Sequence, residues 1–408
     1  MYMEKVAIIT SGYLPIPSVM GGGVEVLIDN LIIQNESEKK VKFTIFSSHN
    51  SDAEKISSKY RYSEFFYLKT NQVVKGLDKF IYFIMKNIFK VNKPYSYRYI
   101  FQRLKFIRSV SKILKKNNYD KIIIENNAVL LGVLKNKNNY EKYKGKYYMH
   151  LHNEILNDFN NYSILKSVSK ILCVSEYLST ITAAKFESLG KEKFEVVLNG
   201  IDLDRFRYID STHKIDDLKK KFSIKNNEFI FLYTGRIAEE KGILELLTAF
   251  SNIKNKNSRL LIVGSSFFDT NVKSKFERRI EHIIDGMKDR IIFTGYIPNN
   301  DLYEIYNIAD VSVLPSIWGE PAGLTMVESI CSGTPVITTN AGGIPEYIDE
   351  DCAIILQNDN KLTENLSKSM DYLINNIEVV EEMKGNSIKK RNIYGKEFYY
   401  KKFISAIN

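Results

Sequence analysis

Cysteine is scarce in this chain of 408 residues. Cys173, Cys331 and Cys352 stand far apart, odd in number and with no CxxC pair. That argues against a disulfide framework and a zinc site, and it suits a reducing cytoplasm. Long apolar runs are also missing. No stretch reaches the ~18 residues that a spanning helix needs. The start, MYMEKVAIITSGY, reads as a charged entry into a strand rather than a signal peptide. There is no internal repeat and no low-complexity linker. The first turn lacks GxGxxG, and no acidic ribose ligand follows at the expected distance, which sets aside a nicotinamide-dependent dehydrogenase.

What is present fits a soluble protein of two domains. Apolar residues make up 44% and charged residues 26%, and the length suits two cores of roughly 200 residues each. The net charge of +10 is not spread evenly. Residues 75–121 hold thirteen Lys/Arg and two acidic residues, so essentially all the excess lies there. Phe80, Tyr82, Phe83, Phe89, Tyr95, Tyr97, Tyr99, Phe101 and Phe106 share that segment. Basic and aromatic residues together suit anionic lipid headgroups. The same mixture suits nucleic acid, or a solvated basic helix with its aromatics turned inward. The expected partner is an anionic membrane surface met by 75–121, with no nucleic acid.

Short β-branched runs alternate with helical patterns. In the first half they are 5–10, 42–47, 121–125, 146–151, 171–175 and 195–199. In the second half they are 229–235, 260–264, 291–295, 311–316 and 335–339. Continuous apolar strands between helices predict parallel sheets covered on both faces. Two such series predict two doubly wound, Rossmann-like α/β domains. The pattern breaks in the polar stretch within 200–225. The expected division is 1–205, 206–390 and a final helix, 391–408, crossing back to the first domain. Ligands bind at the carboxyl ends of such strands, so a cleft between the domains is the expected site.

Four segments carry chemistry. In SIWGEPAGLTMVESICSGTPVITTNAGGIPEYI (316–348), Gly323, Leu324 and Thr325 open a helix whose unpaired amides and dipole suit a diphosphate. Glu320 and Glu328 flank that start. Carboxylates repel phosphate but accept from sugar hydroxyls. Ordinary charge compensation at a helix start is the competing explanation. In YTGRIAEEKGILELLTAF (233–250), a strand ends at Gly235, then Arg236 and Lys241 precede a helix. Arg suits bidentate phosphate contact and Lys a point charge; surface cations on a loop are the alternative. In SGYLPIPSVMGGGVEVLIDNLI (11–32), Gly21, Gly22 and Gly23 let backbone approach a ligand, or simply make a flexible turn. In KYYMHLHNE (146–154), His150 and His152 alternate on a strand and share a face. With no third ligand nearby, no metal is expected. His152 suits a hydrogen bond to a sugar hydroxyl. Tyr296 and Ile297, after IIFTG, suit a site beside a nucleotide base.

Together these segments resemble the family-4 glycosyltransferases of the GT-B fold. The most specific part is the E-x7-E motif, Glu320 to Glu328, read here as EPAGLTMVE. GRIAEEKG, VLNGID and the GGG loop stand in the family's order. The resemblance implies retaining sugar transfer with no cofactor and no obligatory metal, in keeping with the lack of an obvious DxD metal motif in a cleft position. It implies Arg236 and Lys241 on the donor diphosphate, Glu328 on the ribose and Glu320 on the transferred sugar. His152 matches the family's active-site histidine. Gly22, Gly23, Gly235, Tyr296, Ile297, Gly323, Leu324 and Thr325 complete the donor-binding set. The HLHNE form resembles enzymes that build bacterial capsule, exopolysaccharide or teichoic-type polymers. The implied reaction moves a hexose or N-acetylhexosamine from a nucleotide diphosphate sugar, UDP favoured, to a saccharide or lipid-linked acceptor. It would take place in the cytoplasm or at the inner face of the membrane. A non-catalytic partner subunit and a nucleotide-sugar epimerase are the alternatives; acceptor-dependent product would exclude both.

Overall fold

The computed structural model describes residues 2–89, 98–264 and 275–408. Tyr95 and Tyr97 of the basic aromatic segment lie outside them. The chain divides into two units: Met1–Gly200 with Tyr399–Asn408, and Ile201–Phe398.

Unit 1 is built on seven parallel strands: β1 (Glu4–Ile9), β2 (Val41–Ser48), β3 (Ser63–Leu68), β4 (Lys121–Glu125), β5 (Tyr147–Leu151), β6 (Ile171–Cys173) and β7 (Phe194–Val196). Their order is β3-β2-β1-β4-β5-β6-β7. The sheet therefore grows outward in both directions from β1 and β4, and the crevice at their carboxyl ends is the switch point where such folds bind ligands. Central strands are apolar without alternation because helices cover both faces. Val6, Ala7, Ile8, Ile9, Ile122, Ile123 and Ile124 are fully buried. The last helix, Lys396–Ile407, seals unit 1 with Tyr399, Tyr400 and Phe403, all buried. Each such side chain contributes on the order of 1.5–3 kcal/mol by burial. Tyr400 Oη donates to Asn35 Oδ1 at 2.6 Å, and Tyr148 Oη donates to the Ile407 carbonyl at 2.8 Å.

Unit 2 has six parallel strands: β8 (Phe229–Thr234), β9 (Ser258–Val263), β10 (Ile291–Gly295), β11 (Val311–Leu314), β12 (Val336–Thr339) and β13 (Ala353–Leu356). Their order is β10-β9-β8-β11-β12-β13, with the switch point between β8 and β11. The two-sheet, Rossmann-like architecture expected from the strand pattern is present. β3 and β13 were not expected. Both are edge strands, and β3 is mostly half-exposed, so its sequence lacks the continuous apolar run of a central strand. The units exchange at Gly200–Ile201 and again inside the last helix, rather than at 205 and 390.

Candidate functional site

The switch point of unit 2 holds a pocket of about 270 Å³. β8 delivers Gly235 and Arg236, β9 delivers Gly264, and the turn after β10 delivers Tyr296 and Ile297. The helix Leu324–Cys331 supplies Thr325 and Glu328. Six of the expected site residues thus line one cavity. Two glycines make it possible. A Cβ on Gly264 would lie 2.0 Å from the Gly235 carbonyl, so only glycine lets the ends of β9 and β8 approach this closely. Gly242 sits at φ +68°, and its Cβ would lie 1.9 Å from the Pro315 carbonyl.

The helix at 324 starts on Gly323 without a side-chain cap. The Met326 and Val327 amides turn back to the Gly323 carbonyl at 3.0 Å, and the Gly323, Leu324 and Thr325 amides lie at the positive end of the helix dipole. Arg236 is largely exposed and touches Glu240 at 3.3 Å. An exposed pair of this kind is worth little, so the guanidinium is free to turn toward an anion.

Glu328 is held differently. Tyr306 Oη donates to its Oε2 at 3.1 Å and lies 2.9 Å from Thr234 Oγ1. Burial raises its pKa to about 7, and the Tyr306 hydrogen bond and Arg205 offset only part of that. Tyr306 is pushed up in turn by burial and by Glu328. A carboxyl poised near neutrality and facing a cavity is suited to take a ligand hydroxyl once ionised. Sequence reasoning missed Tyr306, because a tyrosine within the helix Leu302–Ile308 reads as core.

Lys241, Glu320, Gly323 and Leu324 are not on the pocket wall. Lys241 Nζ is hydrogen-bonded to Glu320 Oε1. Ser316 Oγ donates to the same oxygen at 2.8 Å, and the Gly343 amide donates to the Glu320 carbonyl at 2.7 Å. The cation and the carboxylate, assigned to separate parts of a donor, are paired with each other here.

His152, Gly22 and Gly23 belong to unit 1. Gly22 precedes the helix Gly23–Glu38, and Glu25 on its first turn accepts from Ser11 Oγ at 3.0 Å. Burial raises the Glu25 pKa. β4 and β5 pair Glu125 beside His150. Glu125 reaches His152 Nε2 at 3.1 Å and His150 Nδ1 at 3.2 Å. All three side chains are buried. Burial opposes the Glu125 charge, but His150 and both histidine hydrogen bonds outweigh it and hold the pKa at about 2. Burial first, then His150, lowers His152 to about 4, against the pull of Glu125.

The sequence showed no third ligand beside the two histidines; the neighbouring strand supplies one, so Glu125, His150 and His152 form a metal-sized group. The remaining ring nitrogens, His150 Nε2 and His152 Nδ1, have no hydrogen-bond partner among the described residues. Metal-ligating histidines ordinarily donate from that second nitrogen. A buried carboxylate accepting from both imidazole rings accounts for the group without an ion. It leaves His152 Nδ1 as an acceptor.

Fold and pocket together define an α/β protein of two Rossmann-like domains with a cation and a carboxyl at the second switch point. Residues 214–390 match the family described as glycosyl transferases group 1. The putative glycosyltransferase YtcC of Bacillus subtilis is 23% identical over 94% of this chain and 87% of its own. The lipopolysaccharide 1,2-N-acetylglucosaminetransferase of Salmonella typhimurium is 25% identical over 56% of each chain. The structure of Anabaena HepE in complex with UDP-glucose superposes with a TM-score of 0.72 at 15% identity, covering 99% of both chains. The family match is confined to the region of the second sheet, and the fold of the whole chain is that of GT-B glycosyltransferases.

Proposed function

We propose that the chain is a retaining glycosyltransferase. It moves a hexose or N-acetylhexosamine from a UDP-sugar to a saccharide or lipid-linked acceptor in bacterial surface-polysaccharide synthesis. One observation carries this reading: Arg236, Thr325 and Glu328 converge on one pocket with Tyr296 and Ile297 also on its wall. Arg236 and the amides of Gly323, Leu324 and Thr325 meet the diphosphate, Glu328 takes the ribose, and Tyr296 and Ile297 flank the base.

As the sugar–phosphate bond loosens, charge gathers on the leaving phosphate. Fixed donors stabilise it without reorganising. Lys241 joins them when donor binding opens its pair with Glu320, freeing the Glu320 carboxylate for the sugar hydroxyls. The acceptor hydroxyl attacks from the face that the phosphate leaves and passes its proton to that phosphate. No protein nucleophile, cofactor or metal is needed. His152, held by Glu125, offers Nδ1 to a sugar hydroxyl, and Gly22 and Gly23 let backbone approach a ligand.

The acceptor side suits a membrane. Val73, Leu77, Phe80 and Phe83 are exposed on the helix Gln72–Phe83. Lys75 and Lys79 flank them. The two acids of the basic segment are engaged within the fold. Asp78 accepts from the Phe101 and Gln102 amides at 2.8 and 3.0 Å, and Asp120 accepts from Lys5 N at 2.8 Å. The exposed face is therefore cationic and apolar, as an interfacial helix is. No helix among the described residues is long and apolar enough to cross a membrane. The deciding experiment is a screen of nucleotide sugars for hydrolysis and transfer, with free and lipid-linked saccharide acceptors. Acceptor-dependent transfer with retained anomeric configuration is expected. Donor conversion without acceptor, or no turnover with any donor, overturns the reading.

A further inference from the structure

A second cavity, of about 610 Å³, lies wholly within unit 1. One wall is the first turn of the helix Ile100–Lys116, bearing Ile100 and Leu104. The other is the loop after β5, bearing Ile155, Leu156 and Phe159. Leu156 is 74% exposed and Phe159 is 50% exposed. Large apolar side chains left facing a cavity of this size mark a ligand surface more often than a defect.

The cavity has one unpaired charge. Arg103 lines it, with a buried Nε that has no hydrogen-bond partner among the described residues. Its guanidinium carbon lies 5.5 Å from the centre of the Tyr13 ring. Among the described residues no carboxylate stands within ion-pair distance of it. Glu154, also on the wall, is already paired with Lys185 at 3.1 Å. A part-buried guanidinium donor without an acceptor needs an explanation, and a fork of donors beside apolar walls matches a phosphate on a hydrocarbon chain. The position agrees. Asn126, on the wall, accepts from the His152 amide at 3.0 Å, which ties the cavity to the carboxyl ends of β4 and β5. Asp78 joins the same first turn to the helix that exposes Val73, Leu77 and Phe80.

We propose that this cavity binds an anionic amphiphile, with its chain against Leu104, Leu156 and Phe159 and its phosphate on Arg103, so that the sugar acceptor is a phosphate-bearing lipid. The acceptor role rests on the transferase reading; the binding chemistry does not.

Calorimetric titration of the full chain tests it, with dodecyl phosphate below its micelle concentration as the probe. Octyl glucoside and dodecyltrimethylammonium serve as neutral and cationic controls. Dodecyl phosphate is expected to bind one to one, at least tenfold tighter than either control. Leu156→Asp, on a side chain too exposed to matter for folding, should weaken it at least tenfold. Arg103→Gln should erase the preference for the anion. Should that variant fail to fold, Leu104→Asp, at a 41% exposed position, takes its place and should weaken binding likewise. Equal affinity for the three amphiphiles, or unchanged binding by Leu156→Asp, overturns the proposal. UDP-glucose titrated into the same samples separates the two readings. Its loss from the wild-type protein counts against the transferase, whereas its retention without amphiphile binding counts against this cavity alone.

Discussion

With Glu328 on the donor ribose as proposed, donor affinity should depend on pH. Its carboxyl is held at about 7 by burial, so it is about 10% ionised at pH 6 and about 90% at pH 8. If ribose hydroxyls donate to the ionised form, UDP-glucose affinity should rise roughly tenfold between those values, or about 1.4 kcal/mol. UDP-glucose is the right probe because its diphosphate, esterified at both ends, does not titrate in this range, and no histidine lines the pocket. Glu328→Gln keeps the shape and loses the charge. It should flatten the profile and cost about 1.5–3 kcal/mol at pH 8, the range for a hydrogen bond to a charged group. Calorimetric titration at fixed ionic strength reads both effects. A flat wild-type profile, or a slope that survives in Glu328→Gln, refutes the assignment.

The same carboxyl should affect stability. Its folded pKa lies above the ordinary value of 4.5, so the native state is increasingly penalised as pH rises from 4.5 to 7, by at most about 3 kcal/mol. Glu328→Gln should therefore raise the melting temperature at pH 8 and leave it unchanged at pH 4, as read by differential scanning calorimetry. Arg236→Ala should lower the transfer rate by about two orders of magnitude, comparable to losing one preorganised donor; steady-state kinetics near the wild-type rate would remove that role. In unit 1, His152 at about 4 and Glu125 at about 2 are both depressed. The His152 contribution is complete above pH 6.5 and lost as pH falls to 4, and that of Glu125 is complete above 4.5 and lost toward 2. Acid unfolding should begin below pH 6.5, and His152→Asn should flatten the upper part of the curve. Gly264→Ala should cost about 1–3 kcal/mol by forcing backbone apart, seen as a melting temperature lower by several degrees.

Strand periodicity exposed the two sheets, because central parallel strands are apolar on both faces and stand out from the helices around them. β3 escaped notice since an edge strand need bury only part of itself. The lining of the unit 2 pocket was legible from Gly235, Arg236, Thr325 and Glu328, whose positions after strands and at a helix start follow from local rules. Pairings between distant segments were not. Nothing near Lys241 in sequence announces Glu320, and Glu125 closes KIIIE like any polar residue leaving a strand. Tyr306 was hidden for the same reason: its hydrogen bond to Glu328 depends on how two helices pack. Arg103 sits in a segment so rich in lysine and arginine that one part-buried guanidinium, without a carboxylate partner among the described residues, could not be singled out.

The central claim is that unit 2 holds the donor diphosphate between Arg236 and the start of the 324 helix. A crystal structure of the chain with UDP tests it most directly. The account predicts phosphate oxygens within hydrogen-bond distance of the Arg236 guanidinium and the Thr325 amide, with the ribose on Glu328. Nucleotide bound elsewhere, with Arg236 still against Glu240, would contradict it.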